Sequence, residues 1–287
     1  MHSVLSRAQL RTGASGFEEI ARWFALLEGF ENQNLALDFS QVQWIDANLA
    51  SAVICVIEKL QSKDNSVVFS GASPRIQDIL KRNGLFFSES ISAGGTVVPL
   101  KNFSKDDGVK YSNYMRQYLA KFNLPKMTEP LRAKIYEGLD EVFVNSSIHS
   151  HIETLVYACG QFYPRLERLD FSVADGGIGM HGAYKKAFGK DITAEDAIEW
   201  ALKDTNTTRV GDIPGGLGLK ILRGFVKLNG GKFVVVSGDG YWMEKEENVI
   251  KKTLPWSYPG TVVTVEVNTN DENSYELTTQ ADRYNVW

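Results

Sequence analysis

The sequence predicts an α/β protein of two units, and three observations carry that expectation. Between residues 30 and 100, short apolar runs alternate with amphipathic ones, the pattern of strands and helices exchanged within one sheet. Further along, Leu169 to Ala174 reads as a buried strand ending at Asp175-Gly176-Gly177-Ile178-Gly179. That motif shares the stretch Leu131 to Gly224 with two others, Glu141-Val142-Phe143-Val144-Asn145 and Gly215-Gly216-Leu217-Gly218-Leu219.

The 287 residues give room for two domains, each with its own core. A net charge of -4 argues against a nucleic-acid surface spread over the molecule. Cys55 and Cys159 lie in separate apolar runs, which favours buried thiols over a disulfide or a metal site. No apolar run approaches the roughly 18 residues that span a bilayer, and the first residues carry no basic-then-apolar signal pattern. The expectation is a cytoplasmic protein with no membrane and no nucleic acid among its partners.

Phe17, Ile20, Trp23, Phe24 and Leu27 recur at helical spacing within residues 16–29. Leu35 to Phe39 follows as a strand, then the loop Trp44-Ile45-Asp46-Ala47-Asn48 and an amphipathic helix from Leu49 to Leu60. Asp46 or Asn48 is expected to cap that helix. A strand over Ser66 to Ser70, the turn Gly71-Ala72-Ser73-Pro74 and a helix to Arg82 complete the first unit. Ser88 to Lys110 is the linker candidate, with a strand only over Thr96 to Leu100. The stripe Tyr111, Tyr114, Met115, Tyr118, Leu119 and Phe122 reads as core packing.

A helix starts near Thr128-Glu129-Pro130. On it Glu141 and Asn145 lie one turn apart and hold a carboxylate and an amide over one small volume, with His149 a turn further on. Strands over Thr154 to Cys159 and Leu166 to Ala174 lead to Asp175, an acceptor at a strand end, where the glycines let backbone approach a flat ligand. Ala194 to Leu202 reads as a helix, followed by the polar run 204–214. Leu217 to Leu228 is a helix whose free N–H groups favour an anion, stopped by Asn229-Gly230-Gly231. Strands Lys232 to Ser237 and Gly260 to Val267 follow, with Trp242, Trp256 and Tyr258 as a partner surface on the hairpin between them. The chain from Asn268 reads as a mobile polar tail.

In order and spacing the three motifs resemble those of the Bergerat ATP-binding fold of the GHKL superfamily, the histidine-kinase-like ATPases. The resemblance implies an α/β sandwich over residues 101–270, a mixed sheet with helices on one face, and a polar tail over 271–287. It implies ATP and Mg2+ as ligands. Asn145 would bind the magnesium ion that bridges the phosphates, and Glu141 would be the general base. His149 would help shape the site. Asp175 would accept the adenine amino hydrogen, with Gly177 and Gly179 leaving room for the base. Gly215, Gly216, Leu217, Gly218 and Leu219 would face the phosphates. Thr207, Thr208 and Arg209 would contact them from a lid. The hydroxyl of Thr261 would support the Asp175 carboxylate, directly or through water.

The first unit, residues 1–100, resembles the STAS domain of anti-sigma-factor antagonists in the strand carrying Asp38, the loop at Trp44-Ile45-Asp46 and Gly71-Ala72-Ser73-Pro74. Regulatory members follow the loop aspartate with two small hydroxyl residues. Ala47 and Asn48 stand there in this chain and cannot accept a phosphoryl group, which implies a docking or structural module. Together the resemblances imply a regulatory protein that hydrolyses ATP or phosphorylates a protein serine or threonine. The alternative is a non-catalytic nucleotide-dependent module or switch. The implied partners are an adenine nucleotide, a protein partner or substrate, and a second copy of the chain as a homodimer. No helical pair with a phospho-accepting histidine precedes the ATP unit, which argues against a histidine kinase proper.

Overall fold

A computed structural model describes residues 1–85, 95–122, 124–149, 155–203 and 217–277, without the side chains of residues 148 and 149. The first unit runs β1 (His2–Leu5), β2 (Gln9–Leu10), α1 (Ala14–Leu27), β3 (Asn34–Asp38), β4 (Trp44–Ile45), α2 (Ala50–Gln61), β5 (Ser66–Ser70) and α3 (Pro74–Asn83). The second runs β6 (Val97–Phe103), α4 (Gly108–Leu119), β7 (Lys126–Met127), α5 (Glu129–His149), β8 (Val156–Tyr163) and β9 (Arg168–Asp175). It continues through α6 (Gly179–Phe188), α7 (Ala194–Ala201), α8 (Leu217–Leu228), β10 (Lys232–Lys245), β11 (Asn248–Asn268) and β12 (Ser274–Tyr275).

Local chemistry sets several of these ends. The Ser73 hydroxyl accepts from the Ile76 amide, Pro74 opens α3, and Gly84 closes it in the left-handed region at φ 83. Thr193 caps α7 by accepting from the Asp196 amide, and two acidic residues fill the first turn. Asp46 and Asn48 do not cap α2 as expected: neither side chain bonds the helix start. Both are engaged elsewhere.

Strands β1, β3 and β5 form a parallel sheet in the order β1-β3-β5. The second unit holds a five-stranded sheet in the order β10-β11-β9-β8-β6, and each neighbouring pair in it is antiparallel. The expectation of a mixed sheet is therefore corrected. The hairpins β8–β9 and β10–β11 account for two of those pairs, and β9 then meets the outgoing β11 rather than β10. The expected linker also changes, because β6 and α4 take up residues 97–103 and 108–119. Residues 86–94 lie outside the described residues.

The five-stranded sheet is buried on both faces, so its strands read as continuous apolar runs. Leu169, Phe171 and Val173 of β9 pack on one side with Phe143 of α5 and Phe225 of α8. Ala174, Tyr157, Cys159, Val234, Val236 and Val262 face the other way, in one cluster with Phe17 and Trp23 of α1 and Val53, Ile57 and Leu60 of α2. The first unit thus covers the sheet face that α5 and α8 leave open. Tyr111, Tyr114, Met115, Leu119 and Phe122 are core, as expected, and both cysteines are free and buried.

Two readings of the chain's last third are overturned. Trp242 and Tyr258 are buried within the long β10–β11 hairpin, which leaves Trp256 as the exposed ring of that trio. The chain past Asn268 is tied down as far as β12, where Tyr275 is buried, pairs with Met127 and packs edge-on against Phe225.

Candidate functional site

Asp175 ends β9 on the face shared by Phe171 and Val173, the face that α5 covers. Only 2% of it is exposed. Its carboxylate accepts from the Gly177 amide at 2.9 Å, from the Ser146 hydroxyl on α5, and from the backbone amide of Thr261, its register partner on β11. Burial pushes its pKa up to about 7, and the three donors with the charge of Lys59 pull it back only in part. A buried carboxylate whose charge is so little compensated is a mark of a functional site.

The supports differ from expectation in two details. The Thr261 hydroxyl pairs with the Ser237 hydroxyl at 2.9 Å, and Ser237 in turn accepts from the Met180 amide at 2.7 Å. Thr261 supports Asp175 through its backbone amide instead. Gly179 sits at φ 71, and a Cβ there would lie 2.9 Å from the Ser237 hydroxyl. Glycine is thus required at 179 by backbone conformation and by the neighbouring strand. Gly177 contributes the amide that closes the turn on Asp175.

Glu141 stands on α5 five residues before Ser146, about 7.5 Å back along the axis. Its Oε2 accepts from the Leu219 amide at 2.9 Å, in the first turn of α8. The anion expected at that helix start is, in this structure, a protein carboxylate. Gly218 is explained by packing: α5 and α8 cross so closely that a Cβ on Gly218 would lie 2.8 Å from the Gly138 amide nitrogen. Leu217 is exposed and Leu219 partly buried. Asn145 lies half-buried on α5 between Glu141 and His149.

One helix therefore gathers the three motifs, reaching Asp175 through Ser146 and the start of α8 through Glu141. Thr207, Thr208, Arg209, Gly215 and Gly216 lie outside the described residues, as does the side chain of His149. Among the described residues no group of three or more His, Cys, Asp or Glu could hold a metal ion. Sequence reasoning missed Ser146, Ser237 and Lys59. Ser146 alone carried a signal, as the residue after Asn145.

The loop from Trp44 to Asn48 forms a second polar centre, against the five-stranded sheet. Asp46 accepts from the Thr12 amide at 2.8 Å and the Trp44 indole at 2.7 Å, and pairs with Arg168 at 3.4 Å and Arg11 at 3.5 Å. Asn48 accepts from the Thr12 hydroxyl and donates to Ser172 on β9, each at 3.0 Å. The Ala47 amide donates to the Tyr163 hydroxyl, and the Cys159 thiol to the Asn48 carbonyl at 3.2 Å. Beside this loop burial pushes Asp170 well up, against the opposing charge of Arg168 at 3.2 Å.

Residues 14–95 match the family model of the STAS domain, so the match takes in α1 as well as the strands and helices expected of it. No curated protein matches the chain. The matched segment ends before β6. No helix among the described residues is long and apolar enough to cross a membrane. The chain is a mixed α/β protein with a STAS domain in its N-terminal third.

Proposed function

We propose that the second unit binds Mg-ATP and that the protein is a regulatory ATPase or protein serine/threonine kinase with a STAS domain docked on its sheet. The observation that carries this reading is the convergence on α5 of three motifs separated by up to 78 residues, with Asp175 at one end and the start of α8 at the other. A ligand with an exocyclic amino group at one end and phosphates at the other suits that arrangement. Asp175 would accept the amino hydrogen. The amides opening α8 would meet the phosphates, and the Asn145 amide oxygen would hold the metal. Bound Mg-ATP would supply a transferable phosphoryl group. Glu141 would orient the accepting water or hydroxyl towards it and take its proton. The STAS match supports a regulatory role for the whole and a protein as partner. We read the protein as cytoplasmic, with the boundary between its two units just before β6.

Glu141 favours a second reading, in which nucleotide gates a protein interaction and no chemistry follows. Its carboxylate is already used to hold the Leu219 amide, a role that needs no turnover. Incubation with γ-labelled ATP and magnesium, with and without protein extract, separates the two. Label on protein supports the kinase and free phosphate the ATPase. Binding with neither supports the gated module. Absence of adenine-nucleotide binding in a calorimeter would overturn both.

A further inference from the structure

Helix α2 belongs to the STAS segment, yet its last turn lies at the strand end that carries the candidate site. Three contacts fix the helix there. The Cys159 thiol bonds the Asn48 carbonyl at its foot, the Tyr258 hydroxyl donates to the Ala52 carbonyl at 3.2 Å, and the Tyr157 hydroxyl donates to Glu58. Leu60 is wholly buried behind it. Lys59, half-buried between Glu58 and Leu60, is thereby aimed at the turn after Asp175. A Cβ on Gly176 would lie 3.2 Å from its Cε and 3.8 Å from its Cγ. The lysine stem therefore lies in close contact with the backbone of that turn.

We propose that Lys59 is a positioning residue of the candidate nucleotide site, holding the Asp175-Gly176 turn from the STAS side and supplying it with a positive charge. The inference rests on the nucleotide reading above and extends it: the N-terminal unit becomes part of the binding machinery. Among the described residues the Asp175 carboxyl accepts from the Ser146 hydroxyl of α5 and from the amides of Gly177 and of Thr261 on β11, and it feels at longer range the Tyr258 phenol of β11 and the Cys55 thiol and Lys59 ammonium of α2. Burial keeps the phenol and the thiol neutral. Lys59 is the cation of that set. It favours the ionised carboxyl, which accepts an amino hydrogen more strongly than the neutral acid does. Any motion of α2 on the sheet would carry the charge away from the site, so docking of the STAS domain and nucleotide affinity are coupled.

Lys59→Met keeps most of the stem and loses the charge, whereas Lys59→Arg keeps the charge. On the full chain, ATP affinity would be measured by calorimetry in EDTA from pH 6 to 9, with a thermal melt of each variant. Lys59→Met is expected to weaken binding roughly three- to tenfold at pH 7, with the gap closing towards pH 9. Lys59→Arg should stay within about twofold of the parent, with both melts unchanged. Binding by Lys59→Met that matches the parent across the pH range overturns the proposal. If the parent itself binds no adenine nucleotide, the nucleotide reading fails separately. The Asp175 carboxyl, followed by carbon NMR on the ligand-free protein, then decides: a titration midpoint raised in Lys59→Met supports the positioning contact, and an unmoved one sinks it.

Discussion

Asp46 follows β4 and Asp175 ends β9, and both are nearly dry, at 1% and 2% exposed, yet they are built for different work. Asp46 meets two guanidinium groups, Arg168 and Arg11, besides the Thr12 amide and the Trp44 indole. Asp175 meets neutral donors from Ser146, Gly177 and Thr261, with Lys59 as the nearby cation among the described residues, and burial holds its pKa up at about 7. Charge compensation separates them. A carboxylate closed by guanidinium groups fastens one unit to the other, while a buried carboxylate short of opposing charge gains from a ligand that donates to it.

The sharpest way to break the comparison is to remove the clamp. Asp46→Ala strands the Thr12 amide and the Trp44 indole and leaves Arg168 to Asp170 and Glu266. Loss of one partner from a buried charged network should cost about 3 to 5 kcal/mol in urea unfolding. A loss under about 1 kcal/mol would show that the interface holds through its apolar half alone.

Asp175→Asn should do the reverse. The folded pKa of about 7 lies above the ordinary 3.8, so the fold binds the proton more tightly than the unfolded chain does. The stability this gives is fully present below pH 4 and is lost as pH rises to about 7. The loss is at most about 4 kcal/mol, and Asp175→Asn, which cannot ionise, should not show it. Asp170, also pushed up by burial, remains in both proteins, so the difference between the two stability curves isolates Asp175. At pH 8 the variant should be at least as stable as the parent and bind ATP tenfold or more weakly. A variant that bound ATP normally would remove Asp175 from the site.

Asn48→Ala tests the smaller half of the clamp. It removes bonds to the Thr12 hydroxyl and Ser172, and Ser172 keeps Thr264 at 2.8 Å. The expected cost is about 1 to 2 kcal/mol in the same unfolding assay, with ATP affinity unchanged. A larger loss would mean that Asn48, and not Asp46, fastens the units.

Much of this was legible in the residues because the information is local. The period-3.6 stripe from Tyr111 to Phe122, the turn at Ser73-Pro74 that leads into the helix to Arg82, and the Asp175 turn each need only their neighbours in sequence. What stayed hidden depends on distant chain segments. Asp46 and Asn48 read as helix caps because their partners Arg168 and Ser172 lie more than 120 residues away. The antiparallel sheet depends on β9 meeting β11, a pairing that no run of apolar residues specifies. Trp242 and Tyr258 looked like a surface because alternation along a hairpin does not reveal what covers its faces. Lys59 was invisible for the same reason: it belongs to one unit and touches the turn of the other.

Glu141 gives the finest test, because its two readings predict opposite changes in affinity. As the acceptor of the Leu219 amide it stabilises the start of α8, and Glu141→Ala should cost only about 0.5 to 1 kcal/mol. If a phosphate uses that amide during turnover, the carboxylate must first release it. The variant would then bind ATP as tightly as the parent or more so, while phosphoryl transfer to water or protein disappears. If Glu141 instead serves only to fasten α8 to α5, its loss loosens the helix that faces the phosphates, and affinity falls while no turnover existed to lose. Calorimetry and a labelled-phosphate assay on the one variant therefore discriminate between a catalytic base and a strut. The direction of the affinity change carries the answer even where turnover is slow.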